Sequence, residues 1–215
     1  MRNTFTNYVA QFTLIIFTIL LSICAYAGEE SQLQFSPENL MGNRSNNYQH
    51  IIGAMITDKL HFSNFAYLDS DYSTKANLYN IRNTISYNLV DNWFSNLAVG
   101  LKNPGVYTTF SVQYVKKYNT FSYLLRTGAT YQKSWTSESF ATMQYVPKIS
   151  DSINAFLNAS LSLNVNTKGI TRGIQQFRMG IKNKQLTYGL ASNFDQFNYN
   201  QRTLTNHGLF LRINY

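Results

Sequence analysis

Ser152-Ile153-Asn154-Ala155-Phe156-Leu157-Asn158-Ala159-Ser160-Leu161-Ser162-Leu163-Asn164 decides the fold. Ile153, Ala155, Leu157, Ala159, Leu161 and Leu163 fall on one face of an extended chain. Asn154, Asn158, Ser160, Ser162 and Asn164 fall on the other, together with Phe156. Side chains of a β-strand alternate between two faces, so this period of two predicts a strand with one apolar and one polar surface.

The split recurs on both sides of this stretch. In Val106 to Lys116, Val106, Phe110, Val112 and Tyr114 oppose Thr109, Ser111 and Gln113. In Tyr79 to Leu89, Tyr79, Ile81, Ile85, Tyr87 and Leu89 oppose Asn80, Arg82, Thr84, Ser86 and Asn88. Further strands are predicted at Leu60 to Asp69, Phe94 to Lys102, Thr120 to Thr130, Thr136 to Val146, Thr171 to Lys182, Leu186 to Phe197 and Thr203 to Tyr215. Segments of this length suit strands that cross a bilayer at a tilt.

The connections fall into two sets. Asp91-Asn92, Lys117-Tyr118-Asn119, Ser150-Asp151 and Asn183-Lys184 are short and polar. Ser70 to Lys75, Gln132 to Trp135, Val165 to Ile170 and Tyr199 to Arg202 read as longer, and Asn103-Pro104-Gly105 belongs to this second set by order although it is short. Upstream, His50 to Ile56 is a further apolar segment before the turn at Asp58-Lys59. An even strand count then requires one more strand, for which Gln32 to Ser36 is the candidate. The reading favours twelve strands, with ten as the alternative. Pro37 to Tyr48, rich in asparagine, becomes an outer loop in the first case, and Gly28 to Tyr48 a periplasmic tail in the second.

The first 27 residues differ from the rest. A basic start at Arg2, an apolar stretch from Phe12 to Cys24, and Ala25-Tyr26-Ala27 follow the order of a secretory signal peptide cleaved after Ala27. A retained anchor would need roughly 20 apolar residues, and a lipoprotein signal ending at Cys24 would have bulky Ile23 where a small residue is usual. The expected organisation is a removed segment 1–27, a segment 28–48 that is a short first strand or a tail, and a barrel over 49–215. Cys24 is the only cysteine, so the remainder forms no disulfide.

Charged residues make up 13% and aromatics 15% of the chain, against about 25% charged in ordinary soluble domains. The chain is hydrophilic on average and has no long apolar segment after Ala27, which excludes a helical membrane protein but not a barrel that shows lipid only every second residue.

The last residues, His207-Gly208-Leu209-Phe210-Leu211-Arg212-Ile213-Asn214-Tyr215, alternate at Leu209, Leu211, Ile213 and Tyr215 and end on an aromatic. This resembles the terminal strand of bacterial outer-membrane β-barrel proteins. The resemblance is to the class and extends as a pattern over the chain after Ala27. It implies an all-β, antiparallel, up-and-down transmembrane barrel in the outer membrane of a Gram-negative cell. It also implies recognition of Gly208, Leu209, Leu211, Ile213 and Tyr215 by the barrel-assembly machinery, and contact with outer-membrane lipid and lipopolysaccharide. In such barrels short turns face the periplasm and longer loops face outside. Trp93 and Trp135, with Tyr87, Tyr114 and Tyr215, then belong to interfacial girdles.

With the apolar faces on lipid, the interior receives Arg82, Arg126, Arg172, Arg178 and Arg212, with Glu138 and Asp195 as acidic partners. Two lumen readings follow: a packed network of ion pairs and amides, or a water-filled passage that attracts small polar or anionic solutes. The corresponding functions are a small pore or passive uptake channel, and a closed structural or surface-interaction barrel acting through its loops.

A lipid hydrolase is a third reading. His61-Phe62-Ser63 has the His and Ser two apart seen in outer-membrane phospholipases, but it follows the Asp58-Lys59 turn at the expected periplasmic end, so no enzymatic activity is expected. His50 and His207 follow no metal-ligand spacing, no glycine-rich phosphate loop is present, and no cofactor is expected. The formal charge is +8 for the whole sequence, but the arginines are spread over many strands of an exported chain, which argues against nucleic acid as a partner.

Overall fold

The computed structural model describes residues 33–73, 77–197 and 201–215. The segment 1–27 read as a signal peptide lies outside the described residues. Twelve strands form: β1 Gln34–Gly42, β2 Ser45–Met55, β3 Leu60–Asp71, β4 Leu78–Val90, β5 Trp93–Lys102, β6 Gly105–Lys117, β7 Phe121–Gln132, β8 Ser134–Tyr145, β9 Ile153–Asn166, β10 Gly169–Asn183, β11 Leu186–Phe197 and β12 Arg202–Ile213. Each pairs antiparallel with its chain neighbours, and β1 pairs with β12, so the sheet closes into an up-and-down barrel. The seam runs from Gly42 opposite Gly208 to Glu38 opposite Arg212. It is extended by a reciprocal pair of bonds, Tyr215 N to Phe35 O at 2.9 Å and Phe35 N to Tyr215 O at 3.3 Å.

Closure removes every sheet edge, which an apolar solvent would otherwise leave with unsatisfied backbone groups. The outer wall carries Ile85, Leu97, Phe110, Leu125, Met143, Leu161, Met179, Leu190 and Leu209, all exposed. In a soluble protein so many exposed large apolar side chains would drive aggregation; on a membrane barrel they face acyl chains. Aromatic rings gather near both ends. Trp93 meets Tyr114 edge-on at 5.0 Å at the end where Phe35 stacks on Tyr215, and Tyr131 meets Trp135 at 5.2 Å at the opposite end.

Two expectations require correction. Pro37 to Tyr48 is not an outer loop: it is the second half of β1, a tight turn at Asn43 and Arg44, and the first half of β2. Pro37 lacks an N–H, and the ladder with β12 begins one residue later, at Glu38. The asparagines that suggested a loop are strand residues, such as Asn39 opposite Tyr48 and Leu40 opposite Asn47.

The second correction concerns loop length. Gln132 to Trp135 turns through Lys133 alone, held at φ 65°, and Val165 to Ile170 contracts to Thr167 and Lys168 before Gly169 at φ 121°. The supposedly short connection around Ser150-Asp151 extends over 146–152 instead. Loop length therefore does not distinguish the two ends.

Candidate functional site in the barrel interior

Contacts between strands that are not neighbours identify the inner face, because in a closed barrel such contacts cross the interior. Arg82 on β4 donates Nη1 to Glu138 on β8, four places round the ring. Arg178 on β10 donates Nε to Glu38 Oε1 on β1 at 2.8 Å, three places round. Gln176 Nε2 reaches Gln49 Oε1 at 3.5 Å between β10 and β2.

Three clusters result. In the first, Glu38 is the hub. Besides Arg178 it accepts Arg212 Nε at 2.8 Å and Gln49 Nε2 at 2.7 Å, while Arg178 Nη1 also donates to Asn193 Oδ1 and Phe177 O. Both Glu38 and Arg178 are about 2% exposed, so each charge needs an opposite charge beside it, which Arg178 and Arg212 supply for Glu38. Beside them lies an apolar group inside the lumen, Leu40, Phe156, Ala191 and Phe210, with the Arg212 guanidinium 5.0 Å from the Phe156 ring.

The second cluster surrounds Glu138. Its Oε2 accepts Thr130 Oγ1 at 3.1 Å, and Arg126 Nη2 stands 3.9 Å from Oε1, too far for a good hydrogen bond. Lys102 lies over the Tyr107 ring at 4.5 Å near the same carboxylate. Three cations thus share one anion. Arg82 Nε and Nη2 and Arg126 Nε, although buried, find no acceptor among the described residues. In the third cluster Arg172 grips Asp195 with two bonds of 3.0 and 2.6 Å. Nearby, Arg44 reaches from the β1–β2 turn to Asp69 and, at 2.9 Å, to Asp71.

All seven residues proposed from the sequence, Arg82, Arg126, Glu138, Arg172, Arg178, Asp195 and Arg212, therefore sit on the inner face in one of these clusters. Glu38, Arg44, Asp69, Asp71 and Lys102 were missed. The first two fell within the stretch read as a loop. Asp69 had a usable signal: it keeps phase with Tyr67 and Asp71 opposite exposed Leu68. His61 packs its ring edge-on against Phe94 at 5.7 Å, and among the described residues no carboxylate contacts it, so nothing orients it as a base toward Ser63. His50 bonds Asn64 Oδ1 at 2.9 Å and His207 bonds Ser192 Oγ at 3.0 Å, both on the outer wall.

A closed antiparallel barrel with an apolar exterior, aromatic belts and a charged interior is a bacterial outer-membrane β-barrel by fold. Solved structures agree. The NanC porin is similar over 86% of this chain and 99% of its own, with a TM-score of 0.56 and 10% identity. The KdgM porin in complex with disordered oligogalacturonate is similar over 85% and 99%, with a TM-score of 0.55 and 8% identity. At such identity the likeness is one of fold. No protein-family description and no curated protein matches the sequence.

Proposed function

We propose that this barrel is a small passive pore of a bacterial outer membrane that favours small polar or anionic solutes. The observation carrying this reading is the excess of cations in the lumen, above all Arg82, Lys102 and Arg126 around the single carboxylate of Glu138. Guanidinium N–H groups that find no acceptor among the described residues are donors for a passing anion. The fold neighbours NanC and KdgM are both porins, and the latter is described in complex with disordered oligogalacturonate. On this reading the protein has no catalytic role. Residues 1–27 direct export, Gly208, Leu209, Leu211, Ile213 and Tyr215 engage the assembly machinery, and exposed lysines meet lipopolysaccharide. The expectation that the end carrying Phe35, Asp151 and Tyr215 faces the periplasm belongs to the same reading and is tested by labelling, not by loop length.

A closed structural barrel is the second reading, favoured by the bridges that cross the lumen. Planar-bilayer recording under a salt gradient separates the two. Discrete steps with a reversal potential on the anion side support the pore; a refolded barrel that stays silent, or one selective for cations, refutes it.

A further inference from the structure

The two glutamate clusters share a plan. Each carboxylate has a near cation on the adjacent strand: Arg212 on β12 beside Glu38 on β1, and Arg126 on β7 beside Glu138 on β8. Each also has a far cation that must cross the interior to reach it, Arg178 from β10 and Arg82 from β4. Neutral groups tether each carboxylate to its own wall, Gln49 for Glu38 and Thr130 for Glu138.

We propose that Glu38 and Glu138 form a charge latch, in which the far arginines Arg178 and Arg82 hold the lumen narrow until an anionic solute takes those guanidinium groups in exchange. This rests on the pore reading above and concerns its regulation. The near cation is what makes exchange feasible. When the far arginine swings away, the glutamate stays neutralised on its wall by Arg212 or Arg126, so opening strands no carboxylate in the lumen. The departing guanidinium loses one carboxylate and meets another on the solute. It also has donors to spare, Arg82 Nε and Nη2 and Arg178 Nη2, for two-pronged binding. A neutral solute offers no such replacement and leaves the bridges in place. Anion preference then comes from displacement of an internal competitor as well as from attraction.

The test compares single-channel conductance of the native barrel with Glu138→Gln, Arg82→Met and the double variant Glu38→Gln/Glu138→Gln, each first shown to be folded by heat-modifiable migration. A latch is broken from either side, so removing the anion or the cation should both raise unit conductance severalfold, and the double variant should exceed Glu138→Gln. A mere field effect would shift the reversal potential in opposite directions for Glu138→Gln and Arg82→Met without raising conductance in both. That outcome overturns the latch and leaves the pore reading intact. Silence of the native barrel and of every folded variant overturns both.

Discussion

Arg126 and Arg212 look alike in sequence, each an arginine opposite apolar neighbours on its strand, yet the structure predicts opposite responses to glutamate. Arg212 gives Glu38 two hydrogen bonds, from Nε at 2.8 Å and from Nη2, and covers the Phe156 ring. Arg212→Glu would set a second carboxylate beside a 2% exposed one, with Arg178 as the remaining cation of the cluster. Breaking a buried pair in this way costs about 3–5 kcal/mol. Arg126 stands 3.9 Å from Glu138 and shares it with Arg82 and Lys102. At an effective dielectric near 20, each charge contact at about 4 Å is worth roughly 4 kcal/mol. The repulsion that Arg126→Glu creates toward Glu138 is therefore offset by attraction to Arg82, which in the native barrel repels Arg126. The net change should stay within about 1 kcal/mol.

The assay is urea unfolding of the refolded barrel in lipid vesicles, followed by fluorescence of the two tryptophans, Trp93 and Trp135. With a slope of about 1–3 kcal/mol per molar urea, Arg212→Glu should lower the midpoint by about 1–5 M, and Arg126→Glu should leave it nearly unchanged. Equal losses in the two variants, or a larger loss for Arg126→Glu, would refute the distinction between a satisfied and a crowded cluster.

Leu40, fully buried among Phe156, Ala191 and Phe210 inside the lumen, should cost about 2–5 kcal/mol when cut to alanine, seen as a lower temperature for loss of the heat-modifiable form. Gly208→Val should impair closure of the β1–β12 seam. A Cβ there would lie 2.0 Å from Met41 O, whereas one at Gly53 meets nothing within 4 Å, so Gly53→Ala should insert normally; equal insertion of both variants would contradict the seam argument. Cysteine labelling of intact cells tests orientation, as the described residues contain no cysteine: Trp135→Cys should react and Asp151→Cys should not, and the reverse pattern would invert the topology.

Strand positions were legible because a lipid wall enforces the period of two along most of the chain. The predicted Ser152 to Asn164 and the observed β9, Ile153–Asn166, differ by one or two residues at each end. Legibility failed where backbone chemistry and facing were less ordinary. Pro37 and a run of asparagines disguised β1 and β2. The tightness of the turns at Lys133 and Gly169 depends on positive φ values, which lysine does not announce. The outer wall also breaks the pattern. Asn83 lies in phase with Ile81 and Ile85, and is tolerated there because Asn64 donates to it at 2.9 Å while accepting from His50.

The interior was legible as a set of charges and not as a set of partners. Glu38 and Arg178 are 140 residues apart, and their meeting depends on the register of every intervening hairpin, since one residue of slip would send either side chain into lipid. Strand number sharpens the point. Eight-stranded barrels are filled by their own side chains, and those of sixteen or more leave an aqueous channel; twelve strands fall between, where side chains decide whether the lumen conducts. Counting cations therefore fixes only the sign of the attraction. Whether solutes pass turns on how many of those cations are held across the lumen by a carboxylate, as Arg82 and Arg178 are, and how many rest against their own wall, as Arg126 and Arg212 do.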